Sequence, residues 1–273
     1  MKNIFLKAWA YLSGILVTVI VLFIFFYILW KGSSVLSLEF LTTYPAGLPL
    51  GTAGGIFPAI IGSIYVGIVS AFFASLCSIA ISIYLIYFCS HTWLKELNRF
   101  IIQCISGVPS IVLGLFGYSF FLMQLEIPRS VLSAGLTLAI MIIPFITLRI
   151  EKIFQEFPQK TIDASLALGV SLEHTILKIV LPQRIIEIAS SISLGTAFAM
   201  GAVAPIMYTG TLLYSGHLPK LTDPFMSLPY HLYVLVNEGF SLKMAYGTAF
   251  VLITLLLTIN IGCRVLQVRR NNQ

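Results

Sequence analysis

The sequence predicts an all-α, polytopic membrane protein with six transmembrane helices. Three observations carry this. Hydrophobic residues make up 58% of the 273-residue chain and charged residues only 10%, where a soluble domain carries roughly 25% charged residues. Six apolar segments approach the ~20 residues needed to cross a hydrocarbon core of ~30 Å. The basic residues gather on one side of those segments when the loops are assigned alternately.

The first segment, Ala8–Trp30, follows Lys2 and Lys7 and is 23 residues long. A signal-peptide apolar region has only about 7–15 residues and ends in a small-residue cleavage site. No such site follows, so this span is expected to be retained. The second segment lies within Ile56–Phe88 and exceeds one crossing, so Ile56-Phe57-Pro58 is expected to form a short lead-in helix at the interface. The third, fourth, fifth and sixth segments are Ile101–Met123, Val131–Ile150, Ile185–Tyr208 and Met244–Val265. Pro144 and Pro205 are expected to kink the fourth and fifth, with packing as their role.

With the N-terminus inside, the inner loops hold 12 of the 16 Lys and Arg residues, among them Lys95, Arg99, Arg149, Lys152, Lys160, Lys178 and Arg184. The outer loops hold only Lys31, Arg129, Lys220 and Lys243. Both termini are therefore expected in the cytoplasm, Arg264, Arg269 and Arg270 read as a stop-transfer cluster, and the +6 net charge reads as a topology signal aided by anionic lipid. Nucleic-acid binding is not needed to explain it. The outer loops are Lys31–Gly55, Gln124–Ser130 and Thr209–Ser241. The first contains Gly47, Pro49, Gly51, Gly54 and Gly55, and the third Gly210, Gly216, Pro219, Pro224 and Pro229. Rich in turn formers and free of charge runs, these two are expected to fold back over the outer mouth.

Between the fourth and fifth segments lies the longest polar interruption, Phe154–Ile188, on the inner side. Pro158 can end one helix and open another. Asp163 is expected in the first turn of a helix over Thr161–Leu168, where a negative side chain suits the helix N-terminus. Ile162, Leu166 and Ala167 are expected to form a small apolar patch, and Gly169 permits a sharp exit because glycine adopts positive φ freely. From Leu172 to Leu181 the helical pattern resumes. The expected object is a short helix parallel to the membrane, held on two longer helical arms.

The spacing here resembles the coupling loop of permeases of ATP-binding-cassette importers, which reads Glu-Ala-Ala, three residues, Gly, nine residues, Ile-x-Leu-Pro. This chain has Asp163-Ala164-Ser165, Gly169 and Ile179-Val180-Leu181-Pro182 in the same register. Asp replaces Glu and Ser replaces the second Ala. The resemblance implies that Asp163, Ala164, Ser165, Gly169, Ile179, Leu181 and Pro182 couple to a cytosolic ATPase, and that the fold is that of a type I importer permease (MetI-like). It divides the chain into an N-terminal helix and outer loop, 1–55, and a permease core, 56–270, with the coupling loop at 151–184.

Three further stretches resemble the phosphate-specific transport system, and within it the A-type permease: Gly54–Ser63, Gly107-Val108-Pro109-Ser110-Ile111-Val112-Leu113-Gly114-Leu115-Phe116-Gly117, and Asp223-Pro224-Phe225-Met226-Ser227-Leu228-Pro229 followed by Leu232-Tyr233. The implied assembly is two permeases, this one paired with a C-type subunit, with a cytosolic ATPase dimer and an extracytoplasmic phosphate-binding protein, in a bacterial inner membrane. The departure is in the fifth segment. The family has Arg, two residues, Gly-Glu-Thr-Ala-Pro there, and this chain has Phe198, then Gly201-Ala202-Val203-Ala204-Pro205. An intramembrane ionisable pair is costly and functional, and here both members are gone. The partner permease supplies the anion contacts, or the substrate is another oxyanion or solute, or the chain is a transport-impaired signalling or scaffold protein. Candidate pathway residues are Pro109, which breaks the helix and frees backbone N–H groups, Ser110, Gly114, Gly201 and Pro205; for the glycines, close helix packing is the alternative.

No Gly-x4-Gly-Lys-Ser/Thr is present, and no Ser/His/Asp set, paired carboxylates or Cys/His cluster shares a predicted face. Catalysis, a cofactor and a metal site are not expected. His91, His174, His217 and His231 are expected at the surface of separate loops, Cys77, Cys89, Cys104 and Cys263 as small packing residues, and Arg149, Glu151, Lys152 and Glu156 as solvated charges.

Overall fold

A computed structural model describes residues 2–48 and 51–271. Pro49, one of the turn formers of the first outer loop, lies outside them, as do the side chains of Lys2, Arg269 and Arg270. The chain is helical. Among the described residues, four helices are long and apolar enough to cross a membrane: residues Leu6–Gly32, Phe57–Phe88, Val131–Gln155 and Leu242–Val265. They belong to α1 (Lys2–Gly32), α3 (Phe57–Ile83, extended by a π-helical turn at Tyr84–Phe88), α6 (Val131–Gln155) and α12 (Leu242–Asn271). The expected lead-in helix at Ile56-Phe57-Pro58 is absent. Pro58 stands in the first turn of α3, where its missing N–H costs nothing, so the long segment is one continuous helix.

The third expected span is broken. Helix α4 (Thr92–Ser106) and helix α5 (Ser110–Gly117, extended as a π turn through Gln124) meet at 97°. The cause is local: Pro109 has no N–H to give the preceding turn and disfavours helical backbone at Val108. The fifth span is also in two pieces, α9 (Leu181–Met200) and α10 (Ala204–Thr209), separated just before Pro205. By itself α9 is not among the helices apolar enough to cross, since Gln183, Arg184, Glu187 and three serines occupy it.

The centre of the fold is the α3–α6 pair. The buried face of α3 is a ladder of small residues at helical spacing, including Ala59, Gly62, Ser63, Gly67, Ser70, Ala74, Ser78 and Ser82. Small residues let helix backbones approach, and within a bilayer the gain comes from contact and hydrogen bonds because lipid is as apolar as leucine. Ser78 and Ser82 each donate to an α6 carbonyl, of Ile143 at 3.2 Å and Thr147 at 3.3 Å. On α6, Leu138, Ile142, Ile146 and Ile150 are fully buried, and α9 closes the cluster through Ile188.

The two turn-rich loops assigned to the outer side from the charge pattern do fold back. Helices α2 (Leu38–Thr42) and α11 (Leu228–Asn237), with a two-residue β-hairpin (Pro45–Ala46 with Ala53–Gly54), form a cap around Phe40, Ile56, Met226, Leu228 and Leu235. Leu228 N–H donates to Ser63 Oγ at 2.8 Å, and Val131 N–H to the Asp223 carbonyl at 3.1 Å. The cap is thereby tied to the tops of α3 and α6. By contrast α1 touches the body near its outer end, where Gly32 packs on the backbone of Tyr246 and Phe25 on Phe250.

Candidate functional site

The polar loop becomes a compact unit. Pro158 caps helix α7 (Gln159–Ala167), Gly169 turns the chain at φ +81°, and α8 (Leu172–Thr175) continues through a π turn at Ile176–Val180 into α9. The π turn has a sequence cause. Pro182 cannot donate to the carbonyl four residues back, and its ring pushes that carbonyl away, so the helix widens by one residue just before it.

The helix starts two residues earlier than expected. Asp163 is therefore in the second turn, not the first, and its charge does not meet the helix N-terminus; its Oδ1 accepts from Gln159 Nε2 at 3.0 Å. The expected patch is also divided. Ile162 and Ser165 face inward, while Leu166 and Ala167 face outward with Ala164. Leu168, the last residue before the turn, is 84% exposed. Around Gly169 the space is open: a side chain there would touch nothing within 4 Å. Ser165 is the residue that departs from Ala, and its hydroxyl lies 2.8 Å from Thr175 Oγ1, both buried. Ile179 and Leu181 pack against the main core, and Pro182 stays exposed.

Two arms hold this unit. Arg184, on α9, donates to Glu187 Oε1 at 2.6 Å and to the Glu156 carbonyl at 3.3 Å, and its guanidinium lies 5.5 Å from the Phe157 ring centroid. That one side chain links the base of α9 to the end of α6. Lys152 and Glu156 are solvated, as expected, and Arg149 is exposed with Nε 3.5 Å from Ser191 Oγ. Glu151 is not solvated. Its side chain is 5% exposed and its Oε2 lies 3.8 Å from Arg99 Nε.

The candidate pathway residues fall into two groups. Ser110 and Phe198 line one pocket of about 410 Å³ together with Ser106, Met141, Pro144 and Phe145. Phe198 is exposed and its ring stands 6.5 Å from that of Phe145. Gly114 and Pro205 meet instead in a packing contact: a side chain at Gly114 would lie 3.0 Å from Ala204 O and Pro205 Cα. Gly201 ends α9 and is open. Phe145 was not singled out by sequence reasoning; its place four residues before Arg149 on α6 was the available signal.

Among the histidines, His231 corrects the surface expectation. It is buried in the outer cap, Nδ1 lies 3.2 Å from Thr248 Oγ1, and burial lowers its pKa to about 4. Of the cysteines, Cys89 is buried while Cys77 and Cys104 are exposed, so the packing role holds for Cys89 and not for those two. Among the described residues no group of His, Cys, Asp and Glu is placed to hold a metal.

This arrangement, a helical hairpin bearing the Asp163-to-Pro182 spacing beneath broken apolar helices, can be set beside known proteins. A profile of the binding-protein-dependent transport system inner membrane components matches residues 78–269. The chain belongs to that family. It is thus a multi-pass inner-membrane permease subunit of an ATP-binding-cassette importer, a transport component without an ATPase site of its own. It is 31% identical over 216 residues to the phosphate transport system permease protein PstA 2 of Mycobacterium bovis, covering 78% of this chain and 71% of that one. It is 29% identical over 222 residues to PstA 1 of Mycobacterium tuberculosis, covering 81% and 73%. These agree with the resemblance drawn from Gly54–Ser63, Gly107–Gly117 and Asp223–Pro229. In solved structures its fold is that of a chain of the MetNI methionine transporter in an inward-facing form, with TM-score 0.63 at 17% identity over 77% of this chain and 94% of that one.

Proposed function

We propose that the chain is the A-type permease half of a phosphate importer, driven through α7. The observation that carries the coupling role is the presentation of α7. Its inward face is fixed by Ile162 and by Ser165 on Thr175, while Ala164, Leu166, Ala167 and Leu168 are left uncovered at the tip of two helical arms. An exposed apolar patch on a surface otherwise polar marks a protein contact. The charge asymmetry supports a cytoplasmic side for this tip and both termini, within reach of a nucleotide-hydrolysing subunit. The hydrogen bond from Arg184 to the Glu156 carbonyl and its contact with the Phe157 ring tie the start of α9 to the end of α6, so the two arms of the tip move together.

Phosphate follows from the mycobacterial relatives, which are named for it. Phe198 then assigns a division of labour. The pocket has an exposed aromatic ring, Ser110 and no cation among its lining residues, the Arg149 guanidinium lying beyond them at 5.6 Å from the Phe145 ring centroid; its own lining offers an oxyanion a hydroxyl and backbone groups. The positive contacts come from the second permease, a C-type subunit. The full assembly adds two ATPase copies and an extracytoplasmic phosphate-binding protein.

The test is co-purification of the ATPase with wild-type chain and with Leu168→Asp. Retention at least tenfold weaker in the variant, about 1.4 kcal/mol of docking energy, is expected, with unchanged thermal stability; equal retention would sink the coupling role. Phosphate uptake by the reconstituted wild-type complex tests the substrate. A second reading, a signalling or scaffold protein that moves nothing, draws on Phe198, Ala202 and Val203, and phosphate-stimulated ATP hydrolysis with uptake would exclude it.

A further inference from the structure

Glu151 is the only acidic residue buried among the described residues. A carboxylate at the membrane edge is expensive, and a well-packed apolar side chain of similar size would serve stability as well or better. Its surroundings do not fully satisfy it. Oε2 has Arg99 at 3.8 Å, a long contact to a half-exposed partner, and Oε1 has no hydrogen-bond partner in the chain. One helical turn outward, Thr147 Oγ1 is also without a partner, and so is Tyr87 Oη on the facing π turn. The register of the α3–α6 seam, Ser78 to Ile143 and Ser82 to Thr147, runs on to place that π turn level with Glu151. The carboxylate therefore has one long contact to a cation and a second oxygen with no partner. Lys95 is the other cation nearby, lining with Arg99 a pocket of about 240 Å³ between α3, α4 and α6.

The pair joins the two moving parts of the molecule. Glu151 lies four residues before Gln155, the end of α6, and so at the root of the arm that carries α7. Arg99 lies on α4, which turns through 97° into α5, and Ser110 at the start of α5 lines the pocket with Phe198. We infer that Arg99 and Glu151 are a positioning pair that passes displacement of the α7 arm to the bent α4–α5 element, and through it to the pocket of Ser110 and Phe198. This rests on the reading of α7 as the coupling helix. A single long ion pair suits the task because it can be broken and re-formed: as the arm swings, Glu151 releases or regains Arg99, and two arrangements of α4 against α6 become accessible.

The test measures phosphate uptake and ATP hydrolysis in the same proteoliposomes, with the full complex and its binding protein. Glu151→Gln and Arg99→Gln are each expected to keep stimulated hydrolysis within about twofold of wild type while phosphate moved per ATP falls at least tenfold. Arg99→Lys is expected to keep at least half the wild-type ratio, and the exchange Arg99→Glu with Glu151→Arg to recover it. An unchanged ratio in both Gln variants overturns the inference. So does a parallel loss of uptake and hydrolysis that Arg99→Lys shares, which marks a merely structural contact. Failure of the α7 reading shows elsewhere, as undiminished ATPase retention by Leu168→Asp with Arg99 and Glu151 intact.

Discussion

The hydroxyl of Ser165 lies 2.8 Å from that of Thr175 across the Gly169 turn, and neither is open to solvent. Thr175 Oγ1 also donates to the Ser171 carbonyl at 3.0 Å. The serine that departs from the family's alanine thus has a partner, and the two helices of the loop are pinned face to face. Ser165→Ala is expected to lower stability by about 1 kcal/mol, because Thr175 loses one of its two contacts inside a closed site. Thr175→Val should cost a similar amount, and the double variant distinctly less than the sum. Thermal unfolding of the four proteins in detergent gives the coupling; strict additivity would show that the two hydroxyls do not interact.

Two glycines separate backbone strain from steric collision. Gly169 has φ +81° in open space, so Gly169→Ala carries only the left-handed backbone penalty, about 1 kcal/mol. Gly62 has ordinary helical backbone, but a side chain there would strike the Met226 carbonyl and the Phe225 ring. Gly62→Ala should cost about 1–3 kcal/mol through displacement of the outer cap. Protease cleavage within 216–228 should rise in Gly62→Ala and not in Gly169→Ala.

The buried imidazole of His231 gives the cap a pH dependence. An unfolded chain protonates this histidine near 6.5, and the folded chain only near 4. Between those values the unfolded state binds more protons, so stability falls as pH is lowered from about 6.5 towards about 4, by at most about 3 kcal/mol. Above pH 6.5 the group contributes no slope. Melting temperatures of wild type and His231→Gln across pH 4–8 test this; equal slopes in both would locate the effect in another group.

Much of this was legible in the sequence because bilayers enforce periodicity and length. The hairpin outline of the loop from Asp163 to Pro182 could be read, since Pro158 and Gly169 are punctuation whose physics is local, although α7 begins two residues earlier than expected. The break at Pro109 was readable for the same reason. Its 97° turn was not, because the direction of α4 depends on what buries its Ile102 and on the contact of Arg99 with Glu151, from a helix fifty residues on. Glu151 itself looked like one more charge at a loop edge, as solvation is set by neighbours in space. His231 misled in the same way: a loop histidine became a core residue once α11 folded down onto α3 and α12. The face of α7 was also set by Thr175, on the far side of the turn, and no helical period within Thr161–Leu168 contains it.

On the proposed reading that Phe198 lines the pathway, its exposed ring has a consequence for how such machines are inherited. When one of two paired subunits carries no charge at the pore, choice of cargo becomes a trait of its mate. A gene for this chain could then be moved between importers with its drive train intact and its selectivity left behind. Drift at residues 198–203 would be tolerated so long as the other gene held its cation, and the two genes would be expected to travel together on the chromosome.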